Sequence, residues 1–100
     1  MKIALLCALG MSTSLLVERM KKAAASRSIE AEIDAYSVDD IDEQLKTSDV
    51  VLLGPQICYK KNELFAKAKD ADTPIDIIDM KAYGLRDGEK VLDQAIKLVK

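Results

Sequence analysis

The chain has 100 residues, 49% apolar and 32% charged, with 15 Lys and Arg against 17 Asp and Glu for a net charge of −2. That mixture suits one globular domain over residues 1–100 with one core, and excludes a disordered chain. It also argues against two partners: no basic stripe is available for nucleic acid, and no apolar run approaches the ~20 residues that cross a bilayer.

Apolar periodicity alternates between strand-like and helix-like stretches. Ile3-Ala4-Leu5-Leu6 is an unbroken apolar run ending at Cys7 and predicts the first strand. The polar Met11-Ser12-Thr13-Ser14 follows at once with no small-residue cleavage site before it, so no signal peptide is expected. Leu16, Met20, Ala23 and Ala24 recur at helical spacing and predict a helix from about Ser12 to about Ser26. Ile29, Ala31, Ile33 and Ala35 alternate with acids, which predicts a half-exposed second strand. Ser37-Val38-Asp39-Asp40 reads as a capping box opening a short helix with Val38, Ile41 and Leu45 on one face.

Val50-Val51-Leu52-Leu53 is a second fully apolar run, the third strand, stopped by Gly54-Pro55. Ile57, Leu64, Ala68 and Ala71 fit a third helix, and Ile75-Asp76-Ile77 after Pro74 gives a fourth strand. Gly84 and Gly88 punctuate an expected loop, and Leu92, Ala95, Ile96 and Val99 mark a closing helix.

Strands covered on both faces read as continuous apolar runs, whereas edge strands tolerate alternation. Strands one and three are therefore central and two and four are edges. Right-handed crossovers then give an α/β fold, a small doubly wound four-stranded parallel sheet of order 2-1-3-4 with helices on both faces. The ligand crevice of such a sheet lies at the carboxyl ends of strands one and three. Cys7 to Ser14 and Gly54-Pro55-Gln56 line it.

His is absent and Cys occurs only at 7 and 58, with no CxxC pair, so no zinc site is expected and no cofactor is implied. A disulfide is allowed by count alone, but the missing signal peptide points to a reducing compartment. On residue type alone, Cys7 is a small apolar filler at a strand end, and Ser12-Thr13-Ser14 is an N-cap cluster. Their placement at the switch point favours a chemical reading. Gly10 lets the chain turn, and the hydroxyls open a helix whose unpaired N–H groups and positive dipole end cradle an anion, usually phosphate. The same field lowers the pKa of a thiol held at its focus, and the thiolate is the nucleophile. Cys58 has no comparable surroundings and reads as a half-buried small residue.

Competing chemistries lack their residues. No Walker A or GxGxxG pattern is present. A receiver-type aspartate would end strand three, where Leu53-Gly54 stands. A cysteine phosphatase loop needs CxxxxxR to grip phosphate, and the position six after Cys7 is Thr13. Without that guanidinium, and without a His in the chain, the loop can hold a phosphoryl group but is poorly equipped to drive its hydrolysis. Two other classes stay open: a cysteine phosphatase, against which the missing Arg argues, and a non-catalytic interaction or regulatory module on the same fold.

Cys7-Ala8-Leu9-Gly10-Met11-Ser12-Thr13-Ser14-Leu15-Leu16, followed by Val50 to Ile57 with Leu53-Gly54-Pro55-Gln56, resembles the IIB component of the bacterial sugar phosphotransferase system (PTS), of the lactose/cellobiose/chitobiose type. The resemblance covers essentially the whole chain and implies a fold similar to the low-molecular-weight phosphatases. It implies a phosphotransferase in which Cys7 takes a phosphoryl group from a phosphohistidine on a partner IIA protein. The group then passes to a β-linked disaccharide bound by the membrane permease IIC, so the chain works in the cytoplasm and meets the membrane through IIC. The resemblance places the backbone of Ala8, Leu9, Gly10, Met11, Ser12, Thr13 and Ser14 around the phosphate, with Gly54, Pro55 and Gln56 shaping the neighbouring loop. No metal and no nucleic acid enter this scheme. Leu9, Met11, Tyr59, Tyr83 and Leu85 are expected to form an apolar rim for both partners, and Lys60 and Lys61 to be solvated charges or to steer an acidic partner.

Overall fold

The computed structural model describes residues 1–7, 14–54 and 60–99, with Cys7 through its backbone. Four strands, β1 (Lys2–Cys7), β2 (Glu32–Ser37), β3 (Val50–Leu53) and β4 (Ile75–Ile77), form one sheet of order β2-β1-β3-β4. Every neighbouring pair is parallel. The helices are α1 (Ser14–Ser26), α2 (Ile41–Thr47), α3 (Lys61–Ala71), α4 (Met80–Leu85) and α5 (Gly88–Leu98), with a 3-10 turn over Val38–Asp40. Order and direction are those the apolar patterns require. Ile3 to Leu6 and Val50 to Leu53 are each 0% exposed, because helices cover both faces of the central pair.

The pleat divides these residues between two cores. Ile3, Leu5, Ile33, Val50 and Leu52 face α1 and α5, where Leu16, Met20, Val91, Leu92 and Ala95 meet them. Ala4, Leu6, Val51 and Leu53 face the other way, toward Ile41 and Leu45 of α2 and Leu64 and Ala68 of α3. Each fully buried Leu or Ile here stabilises the fold by about 1.5–3 kcal/mol through transfer from water.

Three expectations are corrected. The second strand starts at Glu32, not Ile29. Ser28 at φ 56° closes α1, and the Ile29 N–H donates back to the Ala24 carbonyl at 2.8 Å, so Ile29 belongs to a helix exit and packs on the α1/α5 core. Ala71, predicted on the inner face of the third helix, ends α3 in solvent. The loop expected around Gly84 is the helix α4, capped by the Asp79 carboxylate accepting from the Ala82 N–H at 3.0 Å. It stops where Arg86 turns left-handed at φ 52° and the Asp87 N–H reaches the Ala82 carbonyl at 2.8 Å. Ile57 lies outside the described residues.

Gly88 is not a loop residue either. It is buried as the first residue of α5, where a Cβ would stand 2.5 Å from the Arg19 carbonyl carbon and 2.7 Å from the Met20 nitrogen. The two helices therefore meet backbone to backbone. At the amino end of the sheet, the Met1 carbonyl accepts from the Glu32 N–H at 2.8 Å. Leu98 and Val99 come back to that same end beside Asp49 and Pro74, which precede β3 and β4.

Candidate functional site

The parallel sheet delivers all its carboxyl ends to one edge of the molecule. Cys7 occupies the last rung of β1, in register with Ser37 of β2. On the other side, the Gly54 N–H donates to the Leu6 carbonyl at 2.8 Å, carrying the β1–β3 ladder one step beyond Leu53. Gly54 is buried. The predicted strand ends Cys7 and Gly54 are thus brought side by side.

Helix α1 begins at Ser14, which is exposed. Its first turn holds no acidic residue, so no carboxylate offsets the positive end of the helix. The neighbouring Ser37 hydroxyl accepts from the Asp39 N–H at 3.3 Å and opens the 3-10 turn that leads into α2. Ala8, Leu9, Gly10, Met11, Ser12 and Thr13 lie outside the described residues, as do Pro55, Gln56, Cys58 and Tyr59.

Around this edge the surface is partly apolar. Leu85 is 62% exposed, and Tyr83 is half-buried against the α1/α5 core. Two apolar residues were missed by the sequence reading, Met80 at 73% and Leu15 at 43% exposed. The signal for Met80 was present in Asp79, a capping residue placed three before Ala82. Lys60 is half-buried, and Lys61 is exposed with its ammonium 5.6 Å from the centre of the Phe65 ring.

Other features lie away from this edge. An open groove of about 650 Å³, lined by Lys2, Ala25, Ile29 and Asp49 among others, sits at the amino end of the sheet and contains none of the predicted site residues. Ion pairing concentrates on the α1/α5 flank, where Arg27 bonds Asp93 and lies 3.8 Å from Glu89. The hydrogen bond from Arg27, more than its charge alone, holds the Asp93 carboxyl below the usual carboxylate range, and Asp93 in turn raises the Arg27 guanidinium. Among the described residues no cluster of three acidic or thiol side chains is placed to hold a metal ion, and no helix is long and apolar enough to cross a membrane.

The sequence matches the family described as "PTS system, Lactose/Cellobiose specific IIB subunit" over residues 2–94. It is 46% identical to the oligo-beta-mannoside-specific EIIB component of Bacillus subtilis, covering 98% of this chain and 95% of that protein. It is 49% identical to the galactose-specific EIIB component of Lactococcus lactis subsp. cremoris, covering 97% and 94%. The solution structure of the cellobiose-specific IIB component from Borrelia burgdorferi superposes with a TM-score of 0.84 at 43% identity, over 99% of this chain and 91% of that one. The lactose-specific IIB domain from Streptococcus pneumoniae shares the fold with a TM-score of 0.87 at 17% identity, over 100% and 98%.

Proposed function

This chain belongs to the lactose/cellobiose-specific IIB family of the PTS, phosphotransferases of sugar uptake, and we propose that Cys7 is its phosphoryl carrier. The observation that carries this reading is the position of Cys7 at the last rung of β1, beside Gly54 and ahead of a helix start with no acid in its first turn. Residues 1–100 act as one phosphocarrier domain.

In the first step the Cys7 thiolate attacks phosphorus on the partner IIA phosphohistidine. The S–P bond forms as the N–P bond breaks, and its electron pair returns to the imidazole. Nitrogen, phosphorus and sulfur lie in line, and the backbone of Ala8 to Ser14 neutralises the phosphoryl oxygens. In the second step a sugar hydroxyl held by IIC attacks the same phosphorus. The O–P bond forms, the S–P bond breaks, and the thiolate is restored. This chain's own contribution is positioning and charge neutralisation, so its lack of His costs it nothing. Gly54, Pro55 and Gln56 shape the wall of the cradle.

The sugar is of the β-linked disaccharide class, lactose, cellobiose or chitobiose. IIC holds the sugar, so selectivity lies there rather than here. The exposed Leu15, Met80 and Leu85, with Tyr83, form the docking face for IIA and IIC in turn, at the cytoplasmic surface of the membrane. A phosphoryl relay needs such contacts to be modest and reversible.

Labelling with a phosphorylated IIA partner tests this. Cys7→Ser is expected to abolish acceptance, since a hydroxyl without a base is a far weaker nucleophile, while Cys58→Ser keeps near-normal transfer. Label retained on Cys7→Ser, or lost only on Cys58→Ser, refutes the assignment.

A further inference from the structure

Helix α4 is six residues long, too short to hold its shape alone, yet it presents the two most exposed large apolar side chains among the described residues, Met80 and Leu85. Its two ends are fixed by side chains from two other helices. At the start, Gln94 of α5 donates from Nε2 to the Ile77 carbonyl at 2.7 Å and to Asp76 Oδ2 at 3.1 Å. The Gln94 Oε1 accepts from the Asp79 N–H at 3.2 Å. One carboxamide thus gives and takes hydrogen bonds along the outer edge of β4 as a neighbouring strand would. It thereby sets Asp79, whose carboxylate caps α4. At the far end, Arg19 of α1 donates from Nη1 to the Arg86 carbonyl at 3.3 Å. Gly88 seats the next helix directly on the Arg19–Met20 backbone.

We propose that Gln94 and Arg19 are positioning residues for partner docking: together they hold the ends of α4 so that Met80 and Leu85 meet the phosphohistidine-bearing partner in one orientation. The inference rests on the phosphocarrier reading above. Neither residue belongs to the proposed cradle, so both act on encounter with the partner and not on sulfur chemistry. A docking element that is already ordered binds without a further entropic cost at the moment of contact. Loss of either clamp therefore weakens docking while the bound complex transfers at its usual rate.

The test is rapid-quench transfer from a phosphorylated IIA donor to the full chain, at varied donor concentration. Gln94→Leu is expected to raise the half-saturating donor concentration five- to tenfold, and Arg19→Ala two- to fivefold. The saturating rate and the rate of Cys7 alkylation by iodoacetamide stay within twofold of wild type. Arg19→Lys, whose ammonium reaches the same carbonyl, stays within twofold throughout. Amide exchange at Ala82 and Tyr83 speeds up in both damaging variants, which ties the effect to α4. Arg19 is exposed, so its variants keep the fold even where Gln94→Leu does not. A half-saturating concentration that does not move with a variant overturns the role of that residue. A loss of saturating rate or of alkylation rate at unchanged half-saturation overturns it equally. Wild-type chain that accepts no phosphoryl group at Cys7 overturns the function and this inference together, whereas normal wild-type transfer with unmoved variants overturns only the inference.

Discussion

The two faces of the sheet are built differently. The α1/α5 face brings backbones into contact at Gly88, and its core includes Leu16, Met20 and Leu92, all 0% exposed. Among the described residues the α2/α3 face has a smaller core, with α2 only seven residues long and Phe65 half-buried at its margin. Across its helices runs a surface pair, Lys67 to Asp42 at 3.3 Å with the Asp42 side chain 71% exposed. The dense face is the one that carries α1, the helix that follows β1 in the chain. Rigidity is thus placed on the side of the sheet that α1 and α5 cover, and the opposite layer mainly keeps the strands dry.

That contrast can be broken or sharpened by substitution. Leu92→Ala is expected to destabilise by about 3–5 kcal/mol and Leu64→Ala by about 2–3 kcal/mol, because a cavity near the thinner margin collapses more easily. Denaturant melts of both variants check it, and equal losses would erase the distinction. Gly88→Ala should cost about 2–3 kcal/mol, since its Cβ meets backbone that cannot swing aside. The same melts measure it, and a neutral result would mean that the α1–α5 approach is slack.

Smaller effects probe the connections. Asp72 closes α3 with φ 57° and ψ 38°, a left-handed conformation that glycine adopts freely. Asp72→Gly should raise stability by about 0.5–1 kcal/mol in a thermal melt. The smallest change belongs to Asp93. Its carboxyl is held low in the fold by Arg27, so the stabilisation is present above the unfolded carboxylate value and disappears as pH falls through the folded one. Arg27 shifts upward, so its share is lost only in strong alkali. The melting difference between wild type and Asp93→Asn should shrink from about pH 6 to about pH 3, and shrink again in about 1 M salt.

The strand order was legible because burial on both sides leaves a direct trace: Val50 to Leu53 has no polar residue to spend on solvent. Cys7 and Gly54 were legible for the same reason, as the residues at which two buried runs stop. Helix α4 was not. Its stability comes from Gln94, fifteen residues after Asp79, and from Arg19, on a helix near the other end of the chain. Periodicity over six residues cannot register such remote support, so two glycines read as punctuation. Ile29 misled in the opposite sense, since alternation does not distinguish a strand from an apolar residue closing a helix exit.

Met1 and Val99 lie at the amino end of the strands, away from the edge where Cys7 stands. A six-residue strand separates those levels by roughly 20 Å. A dye, an affinity handle or a surface linker attached beside Met1 or Val99 would therefore stand well clear of the edge at which the proposed transfer through Cys7 takes place, which suits the chain to single-molecule tests of that proposal.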